Sequence, residues 1–217
     1  MIPIVNRNEE DKRRKSGVKL PCSVILASAS PRRKELLSGM GIDFTVIPAG
    51  VEEISAGSGY SAAEMVRLNA GLKARAVSET HPDSLVIGSD TVVVYGDRIF
   101  GKPRTADEGA AMLRTLSGRV HQVMTGVSLR LENVSLDKSF TVISRVVFKV
   151  LSEADIQEYM RLVEVMDKAG AYAVQEHGEL ILERLEGSLS NVIGLPVERL
   201  QLELTRIAGE ISASAGS

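Results

Sequence analysis

Apolar and polar residues alternate in blocks that predict short strands and amphipathic helices from residue 23 onward. The first apolar run, residues 23–28, predicts a strand. A serine–proline pair then starts a helix expected over residues 31–40, because serine is a favoured N-cap and proline suits the first helical position. Residues 44–47 predict a second strand. The sequence Ser61-Ala62-Ala63-Glu64 has the form of a capping box and predicts a helix that ends near Ser78, although Gly71 inside it costs helix stability.

The middle of the chain is dominated by strands. Residues 85–88 form a continuous apolar run, which predicts a buried strand, and a second apolar run at residues 92–95 follows the polar triplet Ser89-Asp90-Thr91. The same patterns then predict a return strand over residues 98–100 and a helix with a capping-box start over residues 105–116. A long hairpin follows, with strands at residues 120–131 and 139–151, and then a helix over residues 152–165. Two short strands, residues 171–175 and 180–185, and a last helix, residues 196–207, complete the chain.

This order of elements predicts an α/β fold with a mixed, elongated sheet, flanking helices and a long antiparallel hairpin. Strands that alternate with helices favour parallel pairing, whereas the hairpin must be antiparallel, so both kinds of pairing are expected in one sheet. We expect a single domain over residues 21–210, with two lobes around a cleft. The charged residues 1–20 predict a disordered N-terminal extension, and residues 211–217 predict a frayed tail.

Composition narrows the class of protein. The chain has 217 residues, 44% of them hydrophobic and 25% charged, which is typical of a soluble globular domain. A net charge of -2, aromatic content of 4% and the absence of tryptophan argue against a nucleic-acid partner. No apolar stretch approaches the ~20 residues of a membrane span. Cys22 is the single cysteine, so no internal disulfide is possible, and we expect a cytoplasmic protein without a membrane partner.

The first helix start has the features of an anion site. Arg32 and Arg33 lie in its first turn, where the helix dipole disfavours cations, so a bound anion would offset the cost. Free backbone N–H groups, the hydroxyls of Ser28 and Ser30 and two guanidinium groups suit phosphate. The alternative is a solvated helix start whose arginines pair with nearby carboxylates.

Asp90 is the most informative acid, because it directly follows a predicted buried strand. Ligands gather at the carboxyl ends of strands in open α/β sheets, and a buried acid there commonly binds a cation or acts as a base. The alternative is an acid that only caps the turn. Glu52 and Glu53 follow the second strand and could help to hold a divalent cation, or they could be solvated.

The segment from Gly96 to Pro103 has the glycine and lysine spacing of a P-loop, but it is not one. Pro103 stands where the motif needs serine or threonine, and it offers neither a hydroxyl for Mg²⁺ nor an amide for phosphate. Lys102 remains a useful positive charge in a tight turn. His81, His121 and His177 lack metal-ligand spacing and are interpreted as structural or surface residues.

Eight blocks in order give the chain a specific resemblance over residues 23–205. They are Ala27-Ser28-Ala29-Ser30-Pro31-Arg32-Arg33-Lys34-Glu35-Leu36-Leu37, Val51-Glu52-Glu53, Lys73-Ala74, Gly88-Ser89-Asp90-Thr91-Val92-Val93, Gly101-Lys102-Pro103, Leu116-Ser117-Gly118-Arg119-Val120-His121-Gln122-Val123-Met124-Thr125, Lys168-Ala169-Gly170-Ala171-Tyr172-Ala173-Val174-Gln175 and Val192-Ile193-Gly194-Leu195-Pro196. On these blocks the chain resembles the Maf family of nucleoside triphosphate pyrophosphatases, also called septum-formation-inhibitor-like proteins.

The resemblance implies hydrolysis of a nucleoside triphosphate to the monophosphate and pyrophosphate with a divalent metal cation, Mg²⁺ or Mn²⁺. It implies roles for these residues: Asp90 as proton acceptor or metal ligand, Glu53 as a metal ligand, Ser28, Arg32, Arg33, Lys73 and Lys102 as phosphate ligands, and Arg32, Thr91 and Gln175 as determinants of substrate choice. The motifs resemble the dTTP/UTP branch, with modified pyrimidine nucleotides as further candidate substrates. A homodimer and an inosine-triphosphatase-like fold are also implied.

One departure and two alternatives accompany the resemblance. The family usually has glycine after the position of Gln175, whereas this chain has Glu176-His177, which puts the base preference in question. The same fold could instead serve as a nucleotide-binding regulator of division with incidental turnover. A nucleic-acid-binding module that uses the basic N-terminal segment is disfavoured by the net charge.

Overall fold

The strands of the described residues form one mixed sheet. The structure is a computed structural model that describes residues 18–214. Within them lie seven strands: β1 (Val24–Leu26), β2 (Thr45–Val46), β3 (Leu85–Tyr95), β4 (Arg98–Phe100), β5 (Val120–Leu131), β6 (Leu136–Phe148) and β7 (Leu182–Glu186). The order is β2-β1-β3-β5-β6-β7, and β4 pairs with β3. Strand β1 is parallel to β2 and β3, while the other pairs are antiparallel, which confirms the expected mixed sheet.

Helices flank this sheet. They are α1 (Pro31–Gly39), α2 (Ala62–Ser78), α3 (Ala106–Leu116), α4 (Glu153–Leu162), α5 (Gly178–Ile181), α6 (Leu189–Ile193) and α7 (Val197–Ser214). The predicted capping box at Ser61 is confirmed, since Ser61 and Glu64 each bond the other's backbone N–H. At Thr105 only half of the box forms, because Glu108 bonds the backbone N–H of Arg104 instead.

The long hairpin is also confirmed. Strands β5 and β6 pair continuously from Val120↔Val147 to Leu131↔Leu136. Strand β6 therefore begins and ends three residues earlier than the predicted 139–151, because the connection is a single 3-10 turn, Glu132–Val134, rather than a longer loop.

Asp90 does not lie at a strand end as predicted. Residues 85–95 form one continuous strand, and Asp90 pairs with Gly126 near its middle. The polar triplet stays extended because β5 supplies a partner along the whole segment. Strand β1 stops pairing at Leu26↔Ile87, so Asp90 lies beyond the end of β1 with that side of β3 open. The physical expectation of a ligand site beyond a parallel strand therefore applies to β1 rather than to β3.

The predicted strand at residues 171–175 is wrong. Gly170 and Ala171 adopt positive φ values of 71° and 63°, which break an extended run. The backbone N–H and C=O of Ala173 bond the hydroxyl of Tyr159 on α4 instead of a neighbouring strand. The predicted strand at residues 180–185 begins as α5 and becomes β7 only at Leu182.

The two ends of the described chain differ from expectation as well. Helix α7 continues to Ser214 instead of ending near residue 207, and Ile211 packs on the core, which gives the last turns an apolar contact. Of the predicted disordered extension, residues 1–17 lie outside the described residues, while Val18 and Leu20 pack on the same core cluster. The division into one domain over residues 21–210 stays a prediction.

Two apolar clusters form most of the core. One contains Phe148, Tyr159 and residues of α3, and the other contains Leu37 of α1 with residues of β1 and α7. A cavity is lined by α1 on one side and by α3 and β4 on the other, so each cluster supports one wall. This arrangement matches the expected two lobes around a cleft.

Two glycines allow α2 to lie directly on the sheet. A Cβ at Gly88 of β3 would lie 2.2 Å from the carbonyl oxygen of Ala70, and a Cβ at Gly126 of β5 would lie 2.4 Å from that of Val66. Both distances are far below van der Waals contact, so a larger side chain would push α2 away from the sheet. The side chains that α2 presents to β3 depend on this close approach.

His121 is a buried structural residue of β5. Its Nε2 lies 2.8 Å from the Tyr172 hydroxyl, and its ring packs edge-on against Phe148 and Tyr172. Burial lowers the pKa of His121 to about 4. Of the two interpretations, structural or surface residue, the structure shows the first for His121.

We expect opposite effects from alanine at two glycines. Gly71→Ala should raise the free energy of unfolding by about 1 kcal/mol, because the position is helical and a Cβ there meets nothing within 4 Å. Gly88→Ala should lower it by about 1–3 kcal/mol through overpacking against α2. Urea unfolding of both variants checks this pair, and equal stabilities would contradict the close approach of α2.

We expect His121 to make the fold acid-sensitive. The folded state keeps His121 neutral down to about pH 4, whereas the unfolded chain takes up a proton below pH 6.5. Stability is therefore lost as pH falls from 6.5 to 4, by about 1.4 kcal/mol per pH unit and about 3 kcal/mol in total. Unfolding measured across this range should show a shallower pH dependence in His121→Gln. Parallel curves for the two proteins would disprove this role of His121.

Candidate active site

The residues that the sequence singles out converge on one cavity of about 1030 Å³. All nine candidates line it: Ser28, Arg32, Arg33, Glu53, Lys73, Asp90, Thr91, Lys102 and Gln175. They come from the loops after β1, β2 and β4, from α1, α2 and β3, and from the loop before α5. The structure therefore brings together side chains that are up to 147 positions apart in the chain, from Ser28 to Gln175.

The centre of the cavity wall is an ammonium group between two carboxylates. Lys73 Nζ lies 2.8 Å from Asp90 Oδ1 and 2.8 Å from Glu53 Oε1, and it donates to the Ser89 carbonyl oxygen at 3.3 Å. Lys73 and Asp90 are 8% and 6% exposed. A buried charge is stable when it is paired and hydrogen-bonded, and this cluster satisfies that condition. The Lys73 ammonium is thus bonded to carboxylates, whereas a lysine that only bound phosphate would face the open cavity.

Asn69 is a site residue that the sequence interpretation missed. Its Nδ2 donates to Asp90 Oδ2 at 3.1 Å and to the Ile54 carbonyl oxygen at 3.0 Å, and its Oδ1 accepts from the Ile54 N–H at 2.7 Å. Asn69 thus orients Asp90 and anchors the loop that carries Glu53. The signal was present, because Asn69 lies one helical turn before Lys73 and so on the same face of α2.

Arg33 also lines the cavity and is hydrogen-bonded to neutral oxygens. Its Nε donates to the Gly194 carbonyl oxygen at 2.9 Å, and its two terminal nitrogens donate to Ser28 Oγ at 3.2 Å and Thr91 Oγ1 at 3.1 Å. Burial lowers the pKa of Arg33, while the negative charges of Asp90 and Glu53 act to raise it. Because none of these three hydrogen-bond partners carries charge, the guanidinium keeps its positive charge available to an anion in the cavity.

Arg32 has a carboxylate partner instead. It donates to Asp167 Oδ2 at 2.7 Å and to the Asp167 carbonyl oxygen at 3.0 Å. Burial alone would raise the pKa of Asp167, but hydrogen bonds from Lys168 and Arg32 outweigh that effect and hold it below its usual range. The alternative that the sequence left open, pairing of the arginines with carboxylates, therefore applies to Arg32.

The other candidates lie at the edges. Lys102 and Gln175 are exposed where they border the cavity. Thr91 Oγ1 lies 3.0 Å from Thr125 Oγ1 and accepts from Arg33, so this hydroxyl links two strands to α1. The β3–β4 connection is a tight hairpin, which confirms that the Gly96–Pro103 segment is not a P-loop.

The carboxylates of Glu53 and Asp90, each 2.8 Å from Lys73 Nζ, are the candidates for a divalent-cation site. No group of three or more His, Cys, Asp or Glu side chains in residues 18–214 is arranged to hold a metal ion. Two carboxylates near one another nevertheless suit Mg²⁺, which is commonly held by one or two carboxylates together with substrate phosphates and water. The Glu53 side chain is 52% exposed and therefore accessible. The pair fits a cation that arrives with a phosphate ligand.

No helix within residues 18–214 is both long and apolar enough to cross a membrane.

Two named proteins are similar to this chain over most of its length. The chain is 49% identical over 174 residues to a dTTP/UTP pyrophosphatase of Akkermansia muciniphila, which covers 80% of this chain and 90% of that protein. It is 46% identical over 182 residues to one of Pelotomaculum thermopropionicum, with 82% and 92% covered.

One solved structure shows a weak likeness. It is a nucleoside-triphosphatase, or dITP/XTP pyrophosphatase, of Mycobacterium abscessus that aligns with a TM-score of 0.36 and 15% identity over 58% of this chain and 74% of that one. The TM-score and the identity are too low for this structure to support a conclusion about the chain. The model of the family described as Maf-like protein matches residues 23–207, the span that contains every candidate site residue. The chain belongs to the Maf-like protein family.

Proposed function

We propose that this chain hydrolyses dTTP and UTP, and modified pyrimidine triphosphates, to the monophosphate and pyrophosphate in a house-cleaning role. The observation that carries the proposal is the buried Asp90–Lys73 pair on the wall of a cavity that Arg33 also lines. The site combines the fixed carboxylate of Asp90 with the guanidinium of Arg33, whose hydrogen-bond partners are neutral oxygens. The similar proteins of Akkermansia muciniphila and Pelotomaculum thermopropionicum are named dTTP/UTP pyrophosphatases, which supports the same substrates here.

Asp90 is suited to accept a proton from the attacking water. Each carboxylate oxygen has two lone pairs, and Lys73 and Asn69 each use one lone pair on different oxygens. A water molecule in the cavity can therefore donate to Asp90 while both protein bonds remain. These two bonds fix the plane of the carboxylate, which is the positioning that a general base requires.

The cations of the cavity are suited to stabilise the phosphates. Three of the five Arg33 N–H donors are used by Gly194, Ser28 and Thr91, and Lys102 is exposed at the edge of the cavity. Phosphoryl chemistry depends on cations placed around the non-bridging oxygens as charge develops. Glu53 and Asp90 would hold a Mg²⁺ or Mn²⁺ ion, which neutralises phosphate charge when it is bound.

Arg32, Thr91 and Gln175 are proposed to decide substrate choice. The Gln175 amide offers both a donor and an acceptor, as the edge of a pyrimidine base requires. Such pairing discriminates strongly, because a wrong base leaves polar groups without partners. A cytoplasmic location and a homodimer remain part of the proposal. The paired Asp90 and Lys73 are more than a nucleotide-binding regulator would need, so regulation of division is not favoured.

We expect Asp90→Asn to reduce pyrophosphate release from UTP and dTTP about 100-fold or more, because the amide cannot take the proton from water. The reaction is followed by separating pyrophosphate from orthophosphate. Asp97→Asn, in the exposed turn of the same hairpin, is the matched control and should keep wild-type activity. Unchanged hydrolysis in the folded Asp90→Asn protein would refute the assignment.

We expect chelation of divalent cations to abolish hydrolysis, with recovery on addition of Mg²⁺ or Mn²⁺. Glu53→Gln should raise the metal concentration at half-maximal rate about tenfold, because one carboxylate ligand is lost. Glu52→Gln is a close control, since Glu52 is adjacent and exposed while only Glu53 lines the cavity. A metal requirement that is equal in both variants would exclude Glu53 as a ligand.

A further inference from the structure

Four side chains of alternating charge connect α1 to the loop that carries Gln175. Arg32 bonds Asp167, Asp167 Oδ1 lies 2.8 Å from Lys168 Nζ, and Lys168 Nζ lies 3.2 Å from Glu176 Oε2. We name these four residues the charge chain. Glu176 is the residue at which the sequence departs from the usual pattern, and here it supplies the last link.

Lys168 is the central member of the charge chain and has no donor left for a ligand. Its three N–H groups are used by Asp167, by Glu176 and by the Glu164 carbonyl oxygen at 2.5 Å. Its side chain is 5% exposed. A lysine so buried and fully bonded does not bind phosphate directly, although it borders the cavity. Its contacts instead determine where Asp167 and Glu176 lie.

The charge chain fixes one end of the turn that presents Gln175. The Glu176 N–H donates to the Ala173 carbonyl oxygen at 3.4 Å, which closes a turn over residues 173–176. At the other end, the Tyr159 hydroxyl bonds both the N–H and the C=O of Ala173, at 3.0 and 3.1 Å. Gln175 is thus exposed to the cavity between two anchored positions, one set by Tyr159 and the other by Lys168.

The charges of the chain indicate which part of a nucleotide this wall contacts. Arg32 and Lys168 are balanced by Asp167 and Glu176, so the four residues sum to zero. Arg33, by contrast, has only neutral hydrogen-bond partners. A balanced wall with polar groups suits an uncharged polar ligand group, whereas the Arg33 wall suits phosphate. The base and the ribose are the uncharged polar parts of a nucleotide, and the adjacent Gln175 amide, which offers both a donor and an acceptor, suits the edge of the base.

We propose that Lys168, held between Asp167 and Glu176, is a positioning residue that sets base preference by fixing Arg32 and the Gln175 turn relative to each other. This inference rests on the proposed function for the identity of the ligand as a nucleotide. Lys168 acts through its neighbours and touches neither the base nor the phosphates.

The test compares base preference in wild type, Lys168→Met, Glu176→Gln and Asp167→Asn. It uses two readouts: kcat/KM for UTP divided by kcat/KM for GTP, and Kd for GMP divided by Kd for UMP, two monophosphates that cannot release pyrophosphate. We expect Lys168→Met to reduce both ratios about tenfold through weaker uridine binding, with kcat for UTP within about threefold. Glu176→Gln and Asp167→Asn should each reduce the ratios about two- to fivefold in the same direction. Glu79→Gln is the control: it breaks an exposed ion pair with Arg75 at the C-terminal end of α2 and should leave both ratios at the wild-type value.

The outcomes separate this inference from the proposed function. A wild-type protein that releases no pyrophosphate refutes the proposed function, and the UMP/GMP ratio still decides the role of Lys168. Variants that lose activity equally on UTP and GTP show a merely structural role and overturn the inference. If Lys168→Met does not fold, the partly exposed Glu176 provides the decisive variant, and an unchanged ratio in folded Glu176→Gln overturns it.

Discussion

The structure of the cavity depends on one ion cluster, in which the buried Lys73 ammonium lies between the buried Asp90 and the exposed Glu53. Three elements must meet for it to form: α2, β3 and the loop after β2. Their meeting requires α2 to approach the sheet at Gly88 and Gly126, where any side chain would collide with the helix backbone. Because an unpaired buried charge is strongly destabilising, the cluster also fixes the relative positions of the elements that carry it. The same interaction therefore serves folding and chemistry.

Two adjacent arginines acquire different properties from their surroundings. Successive residues of a helix point about 100° apart, so Arg32 and Arg33 face different parts of the cavity. Arg33 bonds neutral oxygens and keeps a net charge, whereas Arg32 is neutralised by Asp167. The cavity is thus divided into a positively charged wall and a balanced wall. This division matches a ligand with a charged end and an uncharged polar end.

Buried residues hold the side chains that face the cavity. Asn69 orients Asp90 and holds the loop of Glu53, Tyr159 anchors Ala173, and Lys168 ties Asp167 to Glu176. Each of the three is nearly inaccessible and has its polar atoms bonded. Precise placement of reactive groups requires such bonded neighbours, because a loosely held side chain loses much of its effect. Glu176, at which the chain departs from the family pattern, pairs with Lys168.

The sequence by itself determined most of the elements and nine residues of the site. Periodicity and caps placed α1, α2, α3 and the β5–β6 hairpin, because these depend on local hydrogen bonding and on the spacing of apolar residues. The nine candidates that the residues and family motifs named all line the cavity, whereas Asn69, which also lines it, was missed. Only the tertiary structure decided that Asp90 lies within a strand, that residues 171–175 are not a strand, and which charge pairs with which. Strand length depends on a partner far along the chain, and ion pairs depend on distances between elements, so neither is written in a local pattern.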